Sequence, residues 1–200
     1  PKEFRATSTT ITQLVDTAGK LSQNRRGALI VVDLGSDLRP EDFLYSGTNI
    51  EAQLSTDLLI NLFATDTPLH DGAVLVKGNK IISAGVILPL SRQGISRYGT
   101  RHLAALGITE RFDRCICIVV SEETGTLSLA NQGKLERPIT SSRLQELLAN
   151  LIGNQNSTGA NKASLSKNIL SQKTESGDNI ISNINKKESE KSEVFSNNKD

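Results

Sequence analysis

The chain has no methionine, only two cysteines in 200 residues, no apolar run of membrane-spanning length and no GxxxxGKS/T or GxGxxG phosphate loop. Each absence removes something. Without the usual phosphate loops, a nucleotide would have to be held by other means. Two thiols without further cysteines or spaced histidines do not make a zinc site, and Cys115 and Cys117, as i, i+2 neighbours in CICIVV, are poorly placed to pair with each other. They are expected as reduced core residues of a cytosolic domain. Neither a spanning run nor a secretory pattern is present. A chain that begins at Pro1 and lacks methionine is expected to be an excised or processed piece, with any membrane anchor upstream of it.

Net charge is also small. The chain has 23 basic and 22 acidic residues, and seven and six of these fall after residue 155, so 16 of each sign remain before it. A body of zero net charge has no electrostatic reason to hold nucleic acid; any phosphate it handles should be gripped locally by a few placed groups. From Asn156 to Asp200, Ser, Asn, Lys and Glu dominate and the apolar residues are too scattered for a core. That stretch is expected to be a disordered tail, within which 179–187 could form a short helix on a partner. Residues 1–155 are expected to form one globular domain.

Within that domain, Ile11, Leu14, Val15, Ala18 and Leu21 recur at helical spacing, and Gly27 breaks the polar run that follows. Ala28 to Asp33 (ALIVVD) and Cys115 to Val120 (CICIVV) read as buried strands. SDLRPED is a loop, and Ser55 is a good N-cap for a helix through Phe63. AVLVK and KIISAGVILPL, separated by Gly78 and Asn79, give a hairpin of buried strands. Thr100 can cap a helix to about Glu110, TGTLSLANQGK reads turn, strand, turn, and Thr140 opens a helix carrying Leu144, Leu147, Leu148, Leu151 and Ile152, with Gly153 as its stop. This order predicts an α/β fold: a mixed-direction central β-sheet flanked by helices in three layers.

Three short constellations could carry chemistry. His70-Asp71-Gly72-Ala73 puts an imidazole and a carboxylate at a strand entrance, where they could share a hard cation or orient a hydroxyl, with Gly72 allowing close backbone approach; the plain alternative is an Asp-Gly turn capped by His70. Gly99-Thr100-Arg101-His102 combines a helix start with a hydroxyl, a guanidinium and an imidazole, which suits an anion; the alternative is a surface helix start. Ser121-Glu122-Glu123 places carboxylates just after CICIVV, on the edge where ligands of α/β sheets collect. All three fall at strand ends or a helix start, so folding can bring them to one rim, and both histidines of the chain belong to the set.

LHDGAVLV, GTRHLAALGITE and IVVSEETGTLSLA, taken together, resemble the diadenylate cyclase domain of the membrane-anchored bacterial type, whose DGA and RHR motifs mark its active site. The resemblance covers about residues 10–152. It implies condensation of two ATP molecules into cyclic di-AMP and two pyrophosphates, with the active site between two facing protomers at the cytoplasmic face of the bacterial membrane. It further implies that Asp71, with Gly72 and Ala73, is catalytic, and that His70 and Asp71 lie at a divalent metal. Gly99, Thr100, Arg101 and His102 would bind the triphosphate, Ser121, Glu122 and Glu123 would form the phosphate and metal rim of the nucleotide site, and Leu88 would meet adenine. The implied partners are therefore ATP and a second copy of the chain, not nucleic acid.

Chemistry supports a cation here. A free aspartate titrates near about 3.9 and is a poor base for a ribose hydroxyl unless a metal acidifies that hydroxyl. Mn²⁺ or Mg²⁺ is expected, with imidazole favouring Mn²⁺. Two positions depart from the family pattern: Leu103 stands at the third RHR position, and Ile87 where an aromatic is frequent. Leu103 motivates the alternative of a catalytically inactive module that binds ATP or cyclic di-AMP. Metal-dependent nucleotide hydrolysis by the same groups is a further alternative.

Overall fold

Alternating residues of one strand supply two separate cores. In β1 (Ala28–Asp33), Ala28, Ile30 and Val32 face one apolar cluster, and Leu29 and Val31 face another. That is the period-2 signature of a strand covered on both faces. The computed structural model describes residues 2–93 and 97–153, which belong to one compact unit, Pro1–Asn154. The expected tail and its short helix lie outside the described residues.

The elements follow in the order α1 (Lys2–Gln23), β1, β2 (Thr48–Gln53), α2 (Thr56–Leu62), β3 (Ala73–Lys77), β4 (Lys80–Val86), α3 (Thr100–Arg111), β5 (Cys115–Val120), β6 (Leu127–Asn131), β7 (Lys134–Ile139) and α4 (Ser141–Gly153), with short 3-10 turns at Pro40–Asp42 and Pro68–His70. The strands form one sheet in the order β2-β4-β3-β1-β5-β6-β7. Only β1 and β3 run parallel; every other neighbouring pair is antiparallel. On one face Leu14, Ala18 and Leu21 of α1, Leu59 of α2, and Leu144 and Leu148 of α4 close over Ile30, Val74, Ile116 and Ile118. On the other, Ala104, Ala105 and Ile108 of α3 close over Leu29, Val31, Cys117 and Val119. The three-layer α/β fold of mixed direction is therefore as the sequence predicts. Both cysteines are free and buried beneath α3.

Local signals account for most boundaries. Ser55 accepts a hydrogen bond from the Leu58 amide at 3.2 Å, a cap worth about 1 kcal/mol. Thr140 receives the Arg143 amide at 3.1 Å and starts α4, which includes Gly153. The cap of α3 differs from the sequence expectation: Gly99, in extended conformation, occupies it, and Thr100 is the first helical residue. No side chain caps that helix start.

Two strands were not predicted. β2 is polar and mostly exposed, with a register shift between Asn49 and Ala52, so it has no apolar pattern to read. β7 contains Pro138, a residue that argues against a central strand; β7 is an edge strand, where a missing amide is tolerated.

Candidate active site

The parallel pairing of β1 with β3, combined with antiparallel neighbours, brings four chain segments to one edge of the sheet. Ile30 pairs with Val74, Ala28 with Val120, and Ala73 with Val86. The entrances of β1 and β3 therefore lie beside the exits of β4 and β5. Along that edge the order is Ile87-Leu88, Asp71-Gly72, Gly27 and Ser121-Glu122. It is the carboxyl end of β5, as expected, but the amino end of the central parallel pair.

At the first corner, Gly72 has φ +146, and a β-carbon there would lie 2.7 Å from the Gly85 carbonyl carbon and 2.8 Å from its α-carbon. Only glycine lets β3 approach β4 so closely, and that approach fixes where Asp71 leaves the strand. His70 ends the 3-10 turn, and its Nδ1–H donates to the Thr67 carbonyl. A carbonyl can only accept, so the neutral ring carries its free lone pair on Nε2, the state in which imidazole binds a metal. The turn-capping and metal readings of His70 are thus compatible. Asp71 is exposed. Among the described residues no group of three or more His, Cys, Asp or Glu side chains is arranged to hold a metal. An imidazole and a carboxylate still fit a Mn²⁺ or Mg²⁺ ion that takes its remaining oxygens from phosphates and water.

At the second corner, the Arg101 side chain reaches back from α3 over Gly27 and donates from Nη1 to Glu122 Oε2 at 2.9 Å. This joins the α3 start to the end of β5. With Glu122 more than half exposed, such a pair contributes about 0–1 kcal/mol, so the guanidinium can be transferred to a phosphate at little cost. The loop after β5 is pinned: Ser22 Oγ donates to the Gly125 carbonyl at 2.6 Å, and the Ser121 amide donates to Thr126 at 3.0 Å.

Two clefts open along this edge. A cleft of 410 Å³ is lined by Leu29, Val86, Ile87, Leu88, Leu90 and Ala104 together with His70, Asp71, Gly72, Thr100, Arg101 and Glu122. A second, of 570 Å³, is lined by Arg97, Gly99, Thr100, Arg101, His102, Val120, Ser121, Glu122, Glu123, Thr124 and Arg137. Thr100, Arg101 and Glu122 belong to both. The first is about half apolar, and the second is mainly polar, with three arginines against two glutamates.

All of the sequence-predicted site residues line one cleft or the other, with one exception. Ala73 is fully buried in β3, in the apolar cluster under α3, and lines neither. As the first strand residue after Gly72, its side chain points into the core. His102 is buried, with Nε2 at 3.2 Å from Ser128 Oγ, and burial followed by the nearby Arg137 charge holds its pKa below the usual 6.5. Leu103 is buried and lines neither cleft.

Sequence reasoning missed Gly27, Arg97, Ala104 and Arg137, and read Leu29 and Val86 only as buried strand residues. Spacing gives no signal for Arg137, because its strand was not read.

The model of a family described as DAC, DisA bacterial checkpoint controller nucleotide-binding, matches residues 15–135. The chain belongs to this family. A diadenylate cyclase of Listeria monocytogenes is 47% identical over 130 residues, 64% of this chain and 46% of that protein. A crystal structure of a double mutant of DacA from Staphylococcus aureus matches with a TM-score of 0.66 at 37% identity, over 72% of this chain and 95% of that one. A protein from Bacillus cereus described as hypothetical and membrane spanning matches with a TM-score of 0.60 at 41% identity, over 64% of this chain and 63% of that one. The chain spans about half the length of the curated relatives it matches. The family match contains all three motif corners and ends just before Glu136 and Arg137.

Proposed function

We propose that this domain is a metal-dependent diadenylate cyclase, condensing two ATP molecules into cyclic di-AMP with release of two pyrophosphates, at an active site formed between two facing copies. The observation that carries the reading is the junction of the two clefts at Thr100, Arg101 and Glu122. A nucleotide laid across it would have its base among Leu29, Val86, Leu88 and Ala104, and its phosphates at the α3 start.

In this reading His70 and Asp71 hold the divalent cation, Mn²⁺ or Mg²⁺, which when bound would acidify the ribose 3′-hydroxyl and offset phosphate charge. Asp71 takes the proton of that hydroxyl. The freed oxygen bonds to the α-phosphorus of the facing nucleotide, and the bond to pyrophosphate breaks; the same exchange in the opposite sense closes the ring. Arg101, Thr100, the α3 amides and Ser121 steady the leaving pyrophosphate, and the Glu122 and Glu123 carboxylates border it. Gly72 fixes the approach of Asp71, and Gly99 leaves the helix start open. Ala73 contributes through packing beneath the site rather than by contact with substrate.

The need for a second copy is supported by an apolar lip: Leu44, Tyr45, Ile87 and Leu90 are exposed, and Ile87 and Leu90 also line the apolar cleft. No helix among the described residues is long and apolar enough to cross a membrane. A position at the cytoplasmic face of the bacterial membrane would need an anchor outside this domain, a reading supported by the matched Bacillus cereus protein being described as membrane spanning. The polar residues 156–200 are proposed to be a tail outside the catalytic domain.

The test is product identification. Incubation with ATP and Mn²⁺ or Mg²⁺ should yield cyclic di-AMP and pyrophosphate by mass spectrometry, with specific activity rising with protein concentration. Unreacted ATP at every metal and concentration would reject the reading, and saturable ATP binding in that case would identify a binding module. ADP or AMP as the product would point to hydrolysis.

A further inference from the structure

The basic cleft has a wall that no motif marks. Arg137, from edge strand β7, and Arg97, from the segment before α3, line it together with Thr124. Among the described residues neither arginine has an ion pair or a hydrogen bond. The guanidinium carbon of Arg137 lies 5.6 Å from the centre of the Tyr98 ring, and that ring stacks on His102 with centroids 6.4 Å apart. Stacking on an aromatic face orients a guanidinium without consuming its N–H donors. Three arginines, two of them without an ion pair or hydrogen bond among the described residues, outnumber the two glutamates of this cleft and give it a lining suited to an anion. Both unpaired arginines line the basic cleft, and neither lines the one that holds Leu29, Val86, Leu88 and Ala104.

We propose that Arg137, with Arg97 beside it, binds the β and γ phosphates of the nucleotide, the part that leaves as pyrophosphate. The inference rests on the nucleotide reading above and adds to it a residue from an element outside the three motifs. It also gives the site a guanidinium that does not depend on position 103.

The test compares ATP with AMP, which lacks both distal phosphates, by calorimetric titration of the full chain and of Arg137→Ala in Mg²⁺. The unmodified chain should bind ATP more tightly than AMP. In Arg137→Ala, ATP binding should weaken by about ten- to a hundredfold, as for loss of a charge-assisted hydrogen bond, while AMP binding changes by less than about twofold. An unchanged preference for ATP over AMP overturns the inference. So does an equal loss of both ligands, which would make Arg137 a support of the cleft's shape. If the unmodified chain binds neither nucleotide, the nucleotide reading itself has failed, a result read from the unmodified protein alone.

Discussion

Arg101 lies directly over Gly27: a β-carbon on that glycine would stand 2.6 Å from Nη1 and 2.8 Å from the guanidinium carbon. The start of β1 is thus shaped to let a side chain of α3 pass across it. Gly27→Ala should displace the guanidinium, which ends a flexible chain, and leave the fold intact. We expect ATP affinity to fall about tenfold, with a melting temperature within about 3 °C of the parent. Calorimetry and thermal unfolding measure the two; unchanged affinity would mean Arg101 does not grip phosphate from this position.

Gly72→Ala should be more severe. The backbone conformation is one that side chains rarely adopt, and the added carbon would meet the Gly85 backbone, which cannot swing away. The conformational strain alone should cost about 1–3 kcal/mol, seen as a lower urea midpoint, and turnover should fall with it. A variant as stable as the parent would contradict the close approach of β3 and β4.

Asp71→Asn keeps the size of the side chain and removes its charge and basicity. Because Asp71 is exposed at the cleft, the fold should not change. Cyclic product should fall by about a hundredfold or more, while ATP still binds. Turnover near the parent value would remove Asp71 from the reaction.

The buried His102 should make stability depend on pH. Burial, and then the Arg137 charge, lower its pKa below 6.5, so on acidification the unfolded chain takes up a proton before the native one does. Its contribution is complete above the unfolded value of about 6.5 and is lost as pH falls toward the native value. Urea unfolding at about pH 7.5 and about pH 5.5 should show a larger acid loss in the parent than in His102→Gln, which lacks the titrating ring. Equal losses would place the imidazole in solvent.

Much of the fold was legible because its central strands are apolar on both faces: ALIVVD and CICIVV leave no other reading, and Gly78-Asn79 marks a hairpin. What failed to register lies at the sheet edges, where β2 is polar and β7 carries a proline. The site was legible to the extent that its chemistry sits in short contiguous motifs. Gly27, Arg97 and Arg137 come from separate segments, and only the crossing of β1 between β3 and β5 and the outer position of β7 bring them to the same edge. Ala73 shows the converse: membership in a motif did not make it a cleft residue, because strand alternation turned its side chain inward.

The seclusion of Cys115 and Cys117 under α3 has a practical consequence. Both are buried, and burial raises the Cys117 thiol well above its usual value, so native protein offers thiol-directed labels almost nothing to attack. A single surface cysteine, such as Tyr45→Cys at the apolar lip, could carry a spin label without first stripping the native sulfurs. Distances between labels would then report how two molecules meet as nucleotide is added.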